Sequence, residues 1–164
     1  RENTLVIFTG DNGTANELKS RMNGRVIQGG KHKLTEAGAR VPFVANWPGT
    51  VPSGVVETDM IDFSDIVPTL ADMGGASLPQ DIRLDGRSFY PQLQGKEGEA
   101  RDWVFCEQDN GWFIRSRKWM LKSNGKLFDM TDRYDARRVK PEESKAAARA
   151  KKSLTAALKD LGVI

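Results

Sequence analysis

The sequence predicts an α/β fold that starts with a buried strand and ends with a small antiparallel sheet and a C-terminal helix. Residues 4–8 form a short, continuously apolar run rich in β-branched side chains, which is typical of a strand buried on both faces. Residues 103–130 contain short aromatic-rich runs separated by Asn-Gly turns, which predict an antiparallel meander. Residues 141–161 carry apolar side chains at helical spacing.

The first strand ends in an Asp-Asn-Gly tripeptide that has two interpretations. Asp11 and Asn12 offer a carboxylate and an amide carbonyl, which are the hard oxygen donors that Ca²⁺ or Mg²⁺ prefers. The carboxyl edge of strands is also where ligands bind in open α/β sheets. Asx-Gly is equally a common turn signal, so these residues alone leave both a metal site and a simple turn open.

A second copy of this tripeptide lies at residues 109–111, between two strand-like runs. There it predicts an ordinary hairpin connection. The first copy is followed by a polar stretch, residues 14–25, in which we expect no matching strand. The two copies are therefore expected to have different roles.

The following elements complete the α/β part. Residues 41–46 are predicted to form a second strand. Asp65 is expected to cap a helix that has Pro68 in its first turn and ends at Gly74-Gly75. Residues 76–100 are rich in Gly, Pro and charge, which predicts a connecting segment with one helical turn at 88–93.

The last part of the chain is predicted to be a separate small subdomain. Its tryptophans are expected to form core rather than sugar-stacking platforms. The final helix is basic and amphipathic, and its small, Ala-rich apolar face favours docking on the meander over contact with a membrane or an acidic partner. The predicted strands are residues 103–107, 112–117, 119–123 and 126–130.

Composition excludes several classes of protein. With 164 residues, 38% hydrophobic, the chain is long enough for one domain core, and it has no apolar run that predicts a membrane span. A net charge of +3 assists binding of anionic substrates but is too small to indicate nucleic acid. The single cysteine, Cys106, allows no internal disulfide.

Residues 4–75 contain a set of short motifs: the Asp-Asn-Gly at 11–13, Gly30-Lys31, Glu36-Ala37-Gly38, Arg40-Val41-Pro42, Trp47-Pro48-Gly49 and residues 65–70. In combination, these motifs resemble the C-terminal half of the type I sulfatase family, the formylglycine-dependent branch of the alkaline-phosphatase-like superfamily. The residues 111–130 are similar to the small C-terminal sheet of the same family. The resemblance implies an α/β fold that is the C-terminal part of a sulfatase sheet, followed by the small antiparallel sheet and the C-terminal helix.

The resemblance implies a site that includes three residues of this chain. Asp11 and Asn12 correspond to two ligands of a divalent cation, Ca²⁺ or Mg²⁺, and Lys31 corresponds to a cation that contacts a sulfate oxygen. A metal and an ammonium stabilise the charge that develops as the S–O bond breaks. His32, the only histidine, follows Lys31 directly but matches no catalytic position of the family. Its position leaves open a proton donor, a second contact to the anion, or a residue of the loop or substrate rim.

Nearby residues are expected to shape the loop. Glu36 and Arg40 are expected to pair or to cap backbone groups. Ala37 stands where the family has glycine, and it would be strained if its position required a positive φ. Lys33, where the family often has threonine, adds a positive charge.

The family's nucleophile is missing from this sequence. Formylglycine arises from Cys or Ser in a Cys/Ser-x-Pro/Ala-x-Arg motif, which is absent here, and Cys106 lacks its Pro and Arg. The chain also begins Arg-Glu-Asn and enters a strand at once. We expect it to be a C-terminal portion whose missing N-terminal half supplies the nucleophile and the remaining metal ligands, so that it is inactive by itself. The expected divisions are 1–75 (α/β part), 76–100 (connection) and 101–164 (small subdomain).

The resemblance favours a sulfuric ester hydrolase of the arylsulfatase type that acts on a sulfated small molecule or carbohydrate. One alternative is a non-catalytic module that binds sulfated or anionic ligands, and another is a phosphoryl-transfer relative. A periplasmic or secreted location is expected from the family alone.

Overall fold

The computed structural model describes residues 2–109 and 111–164. The chain divides into two compact units, each built from two separate segments. Unit 1 combines the residues up to Thr9 with Pro42–Asp102, and unit 2 combines Gly10–Val41 with Trp103–Ile164. Composition predicted a different division, into three consecutive parts with boundaries at residues 75 and 100. That division stays a prediction.

The secondary structure alternates between the two units along the chain. The helices are α1 (Glu36–Ala39), α2 (Ile66–Gly74), α3 (Tyr90–Leu93) and α4 (Lys145–Asp160), with 3₁₀ turns at Phe63–Asp65 and Pro141–Glu143. The strands are β1 (Val6–Thr9), β2 (Lys19–Met22), β3 (Arg25–Gln28), β4 (Phe43–Asn46), β5 (Val104–Gln108), β6 (Gly111–Arg115), β7 (Trp119–Lys122), β8 (Leu127–Asp129) and β9 (Arg137–Val139).

In unit 1, β1 and β4 form a two-stranded antiparallel sheet with Phe8 opposite Val44. Both predicted strands are therefore present. The expectation that the first strand is buried on both faces is wrong for the described residues, because Val6 and Phe8 are 57% and 66% exposed. A two-stranded sheet gives β1 one neighbour, and alternate side chains point to a face that unit 1 leaves open.

Helix α2 confirms the predicted helix, with Pro68 in its first turn and Gly75 ending it in the left-handed conformation. The role predicted for Asp65 needs correction. Its side chain makes no cap bond to α2. It accepts instead from the backbone N–H of Asp62 and from the side chain of Arg101. Thr69 joins this region to the segment after it, since its hydroxyl accepts from Phe89 N at 3.0 Å.

Unit 2 contains a five-stranded antiparallel meander in the order β5-β6-β7-β8-β9. The four predicted strands correspond to β5 through β8. Strand β9 was not predicted, because its residues Arg137, Arg138 and Val139 carry only one apolar side chain. Val139 pairs with Leu127 and is buried. One inward-facing apolar residue is therefore enough to attach this edge strand to the core.

Helix α4 docks on this sheet, as its small apolar face predicted. Ala147, Leu154, Ala157 and Leu158 form one buried cluster with Ile114 and other sheet residues. Trp103, Trp112 and Trp119 pack against the cluster while partly buried, in agreement with a core role. Ser144 caps the helix by accepting from Ala147 N at 3.0 Å. None of the described helices combines the length and apolar character that crossing a bilayer requires.

Candidate functional site

Backbone hydrogen bonds bring the Asp-Asn-Gly motif of residues 11–13 together with residues 29–38, which surround Lys31 and are called the lysine loop. The N–H groups of Gly30 and Lys31 both donate to the carbonyl of Thr14, at 3.0 and 2.9 Å. Gly13 N donates to the carbonyl of Gly38 at 2.9 Å. The backbone of Lys31 is thus hydrogen-bonded to Thr14, three positions after Asp11, although Lys31 and Asp11 are 20 positions apart in sequence.

Glycines make this approach possible. A Cβ on Gly13 would lie 1.9 Å from the Ala37 carbonyl oxygen, and one on Gly29 would lie 1.9 Å from that of Ala15. A Cβ on Gly38 would lie 2.0 Å from the carbonyl oxygen of Lys33. Each neighbour is backbone, which cannot rotate away as a side chain could. The two loops can therefore pack only with glycine at these positions.

Ala37 takes a place that needs no glycine. It lies inside α1, and it is not among the positive-φ residues of the described chain. The strain that a positive φ would bring is therefore absent. The family's first glycine can be alanine here, while Gly38, which has no space for a Cβ, cannot.

The small sheet supports the lysine loop through Lys122 on β7. Its Nζ donates to the carbonyl of Leu34 at 2.8 Å and lies 5.2 Å from the centre of the Phe128 ring. Burial lowers the pKa of Lys122 below its ordinary value, because desolvation disfavours the ammonium. A partly desolvated charge that holds a carbonyl fixes the loop more firmly than a neutral donor.

A second support is the ion pair between Arg115 on β6 and Glu36 on α1. Both side chains are nearly buried, at 11% and 12% exposure. Arg40 lies 3.7 Å from the other carboxylate oxygen of Glu36, so the predicted pairing of these two residues is confirmed. Arg115 was missed by sequence reasoning. The available signal was an arginine directly after the apolar run of residues 112–114, because an arginine that is buried with such a strand requires an acidic partner.

Asp11 and Asn12 are exposed, and the Asn12 amide donates to Asp11 Oδ2 at 2.7 Å. Their remaining oxygens are hard donors that suit Ca²⁺ or Mg²⁺. No group of three His, Cys, Asp or Glu with metal-site geometry occurs among residues 2–109 and 111–164. The donor chemistry therefore fits a divalent cation, but six to eight oxygens require further ligands beyond these two side chains.

Lys31 and His32 follow directly in the same loop. The Lys31 carbonyl accepts from Asn16 Nδ2 at 2.7 Å, which fixes its backbone from the side of the Asp-Asn-Gly motif. His32 has a left-handed φ of 65° and is exposed, with Nδ1 3.5 Å from Gln108 Nε2. The roles assigned to both side chains stay predictions.

The polar stretch after Gly13 supplies no strand that pairs with β1, as expected, but it begins a hairpin that was not predicted. Strands β2 and β3 pair with each other, and Asn23-Gly24 forms their turn with φ values of 50° and 77°. The Asn-Gly pair was the signal for this hairpin. Arg25 at its turn end forms an exposed ion pair with Asp132 at 2.7 Å, which places the hairpin beside the segment that follows β8.

The second Asp-Asn-Gly copy differs as expected. Gln108 pairs with Gly111, so β5 and β6 form the predicted hairpin. Asp109 has a φ of 50°, as a primed turn requires, while Asn110 lies outside the described residues. Residues 11–13 instead contact the lysine loop, so the two copies lie in different structural settings.

Comparison with known proteins places these features in a family. Residues 30–146 match the family model described as N-sulphoglucosamine sulphohydrolase, C-terminal. Arylsulfatase G of Mus musculus is 43% identical over 108 residues, which cover 58% of this chain and 20% of that protein. The steryl-sulfatase of Homo sapiens is 37% identical over 123 residues, 71% of this chain and 21% of that protein. The ulvan-active sulfatase of Formosa agariphila is 33% identical over 115 residues, covering 70% and 20%.

Solved structures agree on the fold. The chain matches the crystal structure of Ps i-CgsB with a TM-score of 0.78 at 24% identity, covering 98% of this chain and 36% of that one. It matches the PsFucS1 sulfatase from Pseudoalteromonas sp. with a TM-score of 0.66 at 24% identity, covering 96% and 37%. The chain spans about a fifth of the length of the sequence relatives named above.

Proposed function

This chain belongs to the sulfatase family, and on that premise we propose that it supplies part of the metal and sulfate site of an enzyme that hydrolyses sulfate esters. The observation that carries the proposal is the pair of hydrogen bonds from Gly30 N and Lys31 N to the Thr14 carbonyl. These bonds hold the lysine loop next to Asp11 and Asn12, the residues that the family resemblance assigns to the metal.

Lys31 contacts a sulfate oxygen in this proposal. Its ammonium offsets the negative charge that grows on the ester oxygens as the S–O bond breaks, so it stabilises the transition state more than the bound ester. The loop is well suited to present such a group, because Lys122 and Arg115 hold the segment that follows it. A rigidly held cation requires little reorganisation energy during the reaction.

Asp11 and Asn12 hold a divalent cation, Ca²⁺ or Mg²⁺, through their side-chain oxygens. When bound, such an ion polarises the sulfate ester as a Lewis acid. The two residues also anchor one end of the site, since the Gly13 N–H that follows them donates to the Gly38 carbonyl at 2.9 Å. His32 adds a second polar contact at the rim of the same loop.

The nucleophile comes from outside these 164 residues. The Cys/Ser-x-Pro/Ala-x-Arg motif of the formylglycine is absent from the sequence, and the relatives are about five times longer than the aligned region. We therefore assign the nucleophile and the remaining metal ligands to an N-terminal portion of the same protein. By this proposal the chain alone does not turn over sulfate esters.

A sulfated carbohydrate is the proposed substrate class. One structural neighbour was solved in complex with its substrate D-glucosamine-2-N,6-O-disulfate, and Ps i-CgsB was solved with a neocarrahexaose. We extend the proposal to a periplasmic or secreted protein, on the family resemblance alone.

The experiment is sulfate release from an aryl sulfate by the complete polypeptide that carries this sequence. Lys31→Ala is expected to lower kcat/KM by roughly 10²–10³-fold, the effect of removing one group that stabilises transition-state charge. Lys33→Ala is the matched control, since it removes an exposed lysine two residues away and should leave kcat/KM nearly unchanged. Equal activity of the two variants would remove Lys31 from the site. Sulfate-ester binding without any turnover by the wild-type polypeptide would indicate a binding module instead.

A further inference from the structure

The positive charge of the chain is concentrated in its last helix. Helix α4 carries five Lys or Arg residues and one acidic residue, for a net charge of +4. The whole chain has a net charge of +3, so all other residues together have a net charge of −1. The basic character that favours anions is therefore a property of α4 and not of the chain as a whole.

Four of these cations lie in one line on the outer face of the helix. They are separated by four, three and seven residues, which is the spacing of one helical face. All four residues are exposed, while the opposite face packs into the core through Leu154 and Leu158. At 1.5 Å per residue the line is about 21 Å long. We call this set the basic stripe; it comprises Lys145, Arg149, Lys152 and Lys159.

Three members of the basic stripe work against the stability of their own helix, whereas Lys159 lies in its last turn, where the helix dipole favours a cation. Like charges at i,i+3 and i,i+4, such as Lys145 with Arg149 and Arg149 with Lys152, destabilise a helix by about 0.2–0.5 kcal/mol per pair. Lys145 is also the first residue of α4, where the positive end of the helix dipole disfavours a cation. Within the part of the chain that the structure describes, no ion pair involves a member of the stripe. Helix stability therefore does not explain the pattern, and violations of local rules are typical of binding surfaces.

We infer that the basic stripe binds a linear polyanion, a sulfated polysaccharide, along the outer face of α4. The spacing of the cations suits a chain with repeated anionic groups, because one extended ligand can contact all four at once. The choice of a sulfated polysaccharide rests on the proposed function, while the preference for a polyanion follows from the stripe itself.

The side chains around the stripe favour a polysaccharide over a membrane. Helix α4 exposes no large apolar side chain, and the remaining exposed positions near the stripe include Ala148 and Ala156. An interfacial membrane helix needs bulky apolar residues that enter the acyl region. A polyanion needs only cations, since neutralising its charges releases condensed counterions into solution. Several weak contacts on one ligand also add to a useful affinity.

The test is binding of dextran sulfate to the complete polypeptide at low ionic strength, with unsulfated dextran as the ligand control. The stripe variant changes all four residues to Gln: Lys145→Gln, Arg149→Gln, Lys152→Gln and Lys159→Gln. Gln is a good helix former, so the helix should be retained. The matched control removes four exposed cations elsewhere: Lys19→Gln, Arg21→Gln, Lys96→Gln and Lys126→Gln.

The stripe variant is expected to bind dextran sulfate roughly ten-fold or more weakly than the control variant, because four exposed ionic contacts are lost together. Its affinity should also depend less steeply on salt. Binding by the two variants within two-fold of each other would overturn the inference. Preference of the wild type for anionic phosphatidylserine vesicles over dextran sulfate would overturn it in favour of a membrane surface.

Turnover of a small aryl sulfate separates this inference from the proposed function. The stripe variant should keep the wild-type kcat/KM on that substrate, because a single sulfate ester cannot span the stripe. Absence of turnover in every variant, with dextran sulfate binding still dependent on the stripe, would contradict the proposed hydrolase and leave the polyanion surface standing.

Discussion

Lys122 Nζ donates to the carbonyl oxygen of Leu34 at 2.8 Å, joining residues that lie 88 positions apart in the chain. Leu34 is three residues after Lys31, in the loop that the proposed function depends on. The contact shows that the small sheet, which carries none of the proposed site residues, holds the loop that carries Lys31. The desolvation of Lys122 is the cost of that support.

The desolvation of the Lys122 ammonium predicts that the free energy of unfolding depends on pH. Burial lowers the pKa of Lys122 below its ordinary value of 10.5, so at alkaline pH below that value the unfolded chain binds more protons than the folded chain. The free energy of unfolding should therefore rise with pH in this window in the wild type, relative to Lys122→Met. At pH below the lowered pKa the desolvation penalty is fully present. Denaturant unfolding of both proteins at about pH 7 and about pH 10 checks this. A difference that stays constant with pH would contradict it.

Gly38→Ala should destabilise the lysine loop. Its Cβ would lie 2.0 Å from the Lys33 carbonyl oxygen and 2.5 Å from that of Gly30, and neither backbone can move freely. We expect a loss of about 1–3 kcal/mol in the free energy of unfolding, as in other overpacked sites. The control is Gly74→Ala in α2, where a Cβ meets nothing within 4 Å. That substitution should stabilise by roughly 0.4–1 kcal/mol. Equal effects would show that the loop is not tightly packed.

In unit 1, breaking the ion pair between Arg101 and Asp65 should be costly. The side chains are 4% and 1% exposed, and Arg101 Nε donates to Asp65 Oδ2 at 2.7 Å. Arg101→Met should lower the free energy of unfolding by about 3–5 kcal/mol, because it leaves a buried carboxylate without its cation. Arg87→Met, which removes an exposed partner of Glu99, should cost less than about 1 kcal/mol. Adding Asp65→Asn to Arg101→Met should recover part of the loss, and a strictly additive double variant would refute the pairing.

His32→Gly should increase stability. His32 has a φ of 65°, where a side chain with a Cβ costs roughly 1–2 kcal/mol and glycine costs nothing comparable. We expect a gain of about 1 kcal/mol in the free energy of unfolding, reduced by the greater entropy of glycine in the unfolded chain. Asn23→Gly, at a φ of 50° in the β2–β3 turn, should gain less, since asparagine tolerates this conformation. A loss of stability in His32→Gly would mean that the imidazole makes contacts that outweigh the strain.

Calcium binding should distinguish the two Asp-Asn-Gly copies. In the complete polypeptide, calcium at 100 times its Kd should raise the free energy of unfolding by about 2.7 kcal/mol. Asp11→Asn should remove most of this gain by deleting a ligand charge. Asp109→Asn alters the same tripeptide in the β5–β6 hairpin and should leave the gain intact. Loss of the calcium effect in the second variant, or its retention in the first, would exclude the proposed metal ligands.

Local patterns accounted for the elements that the sequence predicted correctly. Helix α2, helix α4 and strands β5 through β8 each follow from side-chain spacing and turn residues within a short window. The elements that were missed have weak local signals: β9 has one apolar residue, and α1 is only four residues long. The β2–β3 hairpin was missed although Asn23-Gly24 marked it.

The sequence by itself determined the family, the order of the main elements and the candidate residues Asp11, Asn12 and Lys31, because these depend on residue type and spacing along the chain. Only the tertiary structure decided how they are held. Arg115 meets Glu36 and Lys122 meets Leu34 across 79 and 88 positions of the chain, and no periodicity links such distant residues. Their pairing follows from burial, since a charge removed from water must find a partner wherever the fold provides one.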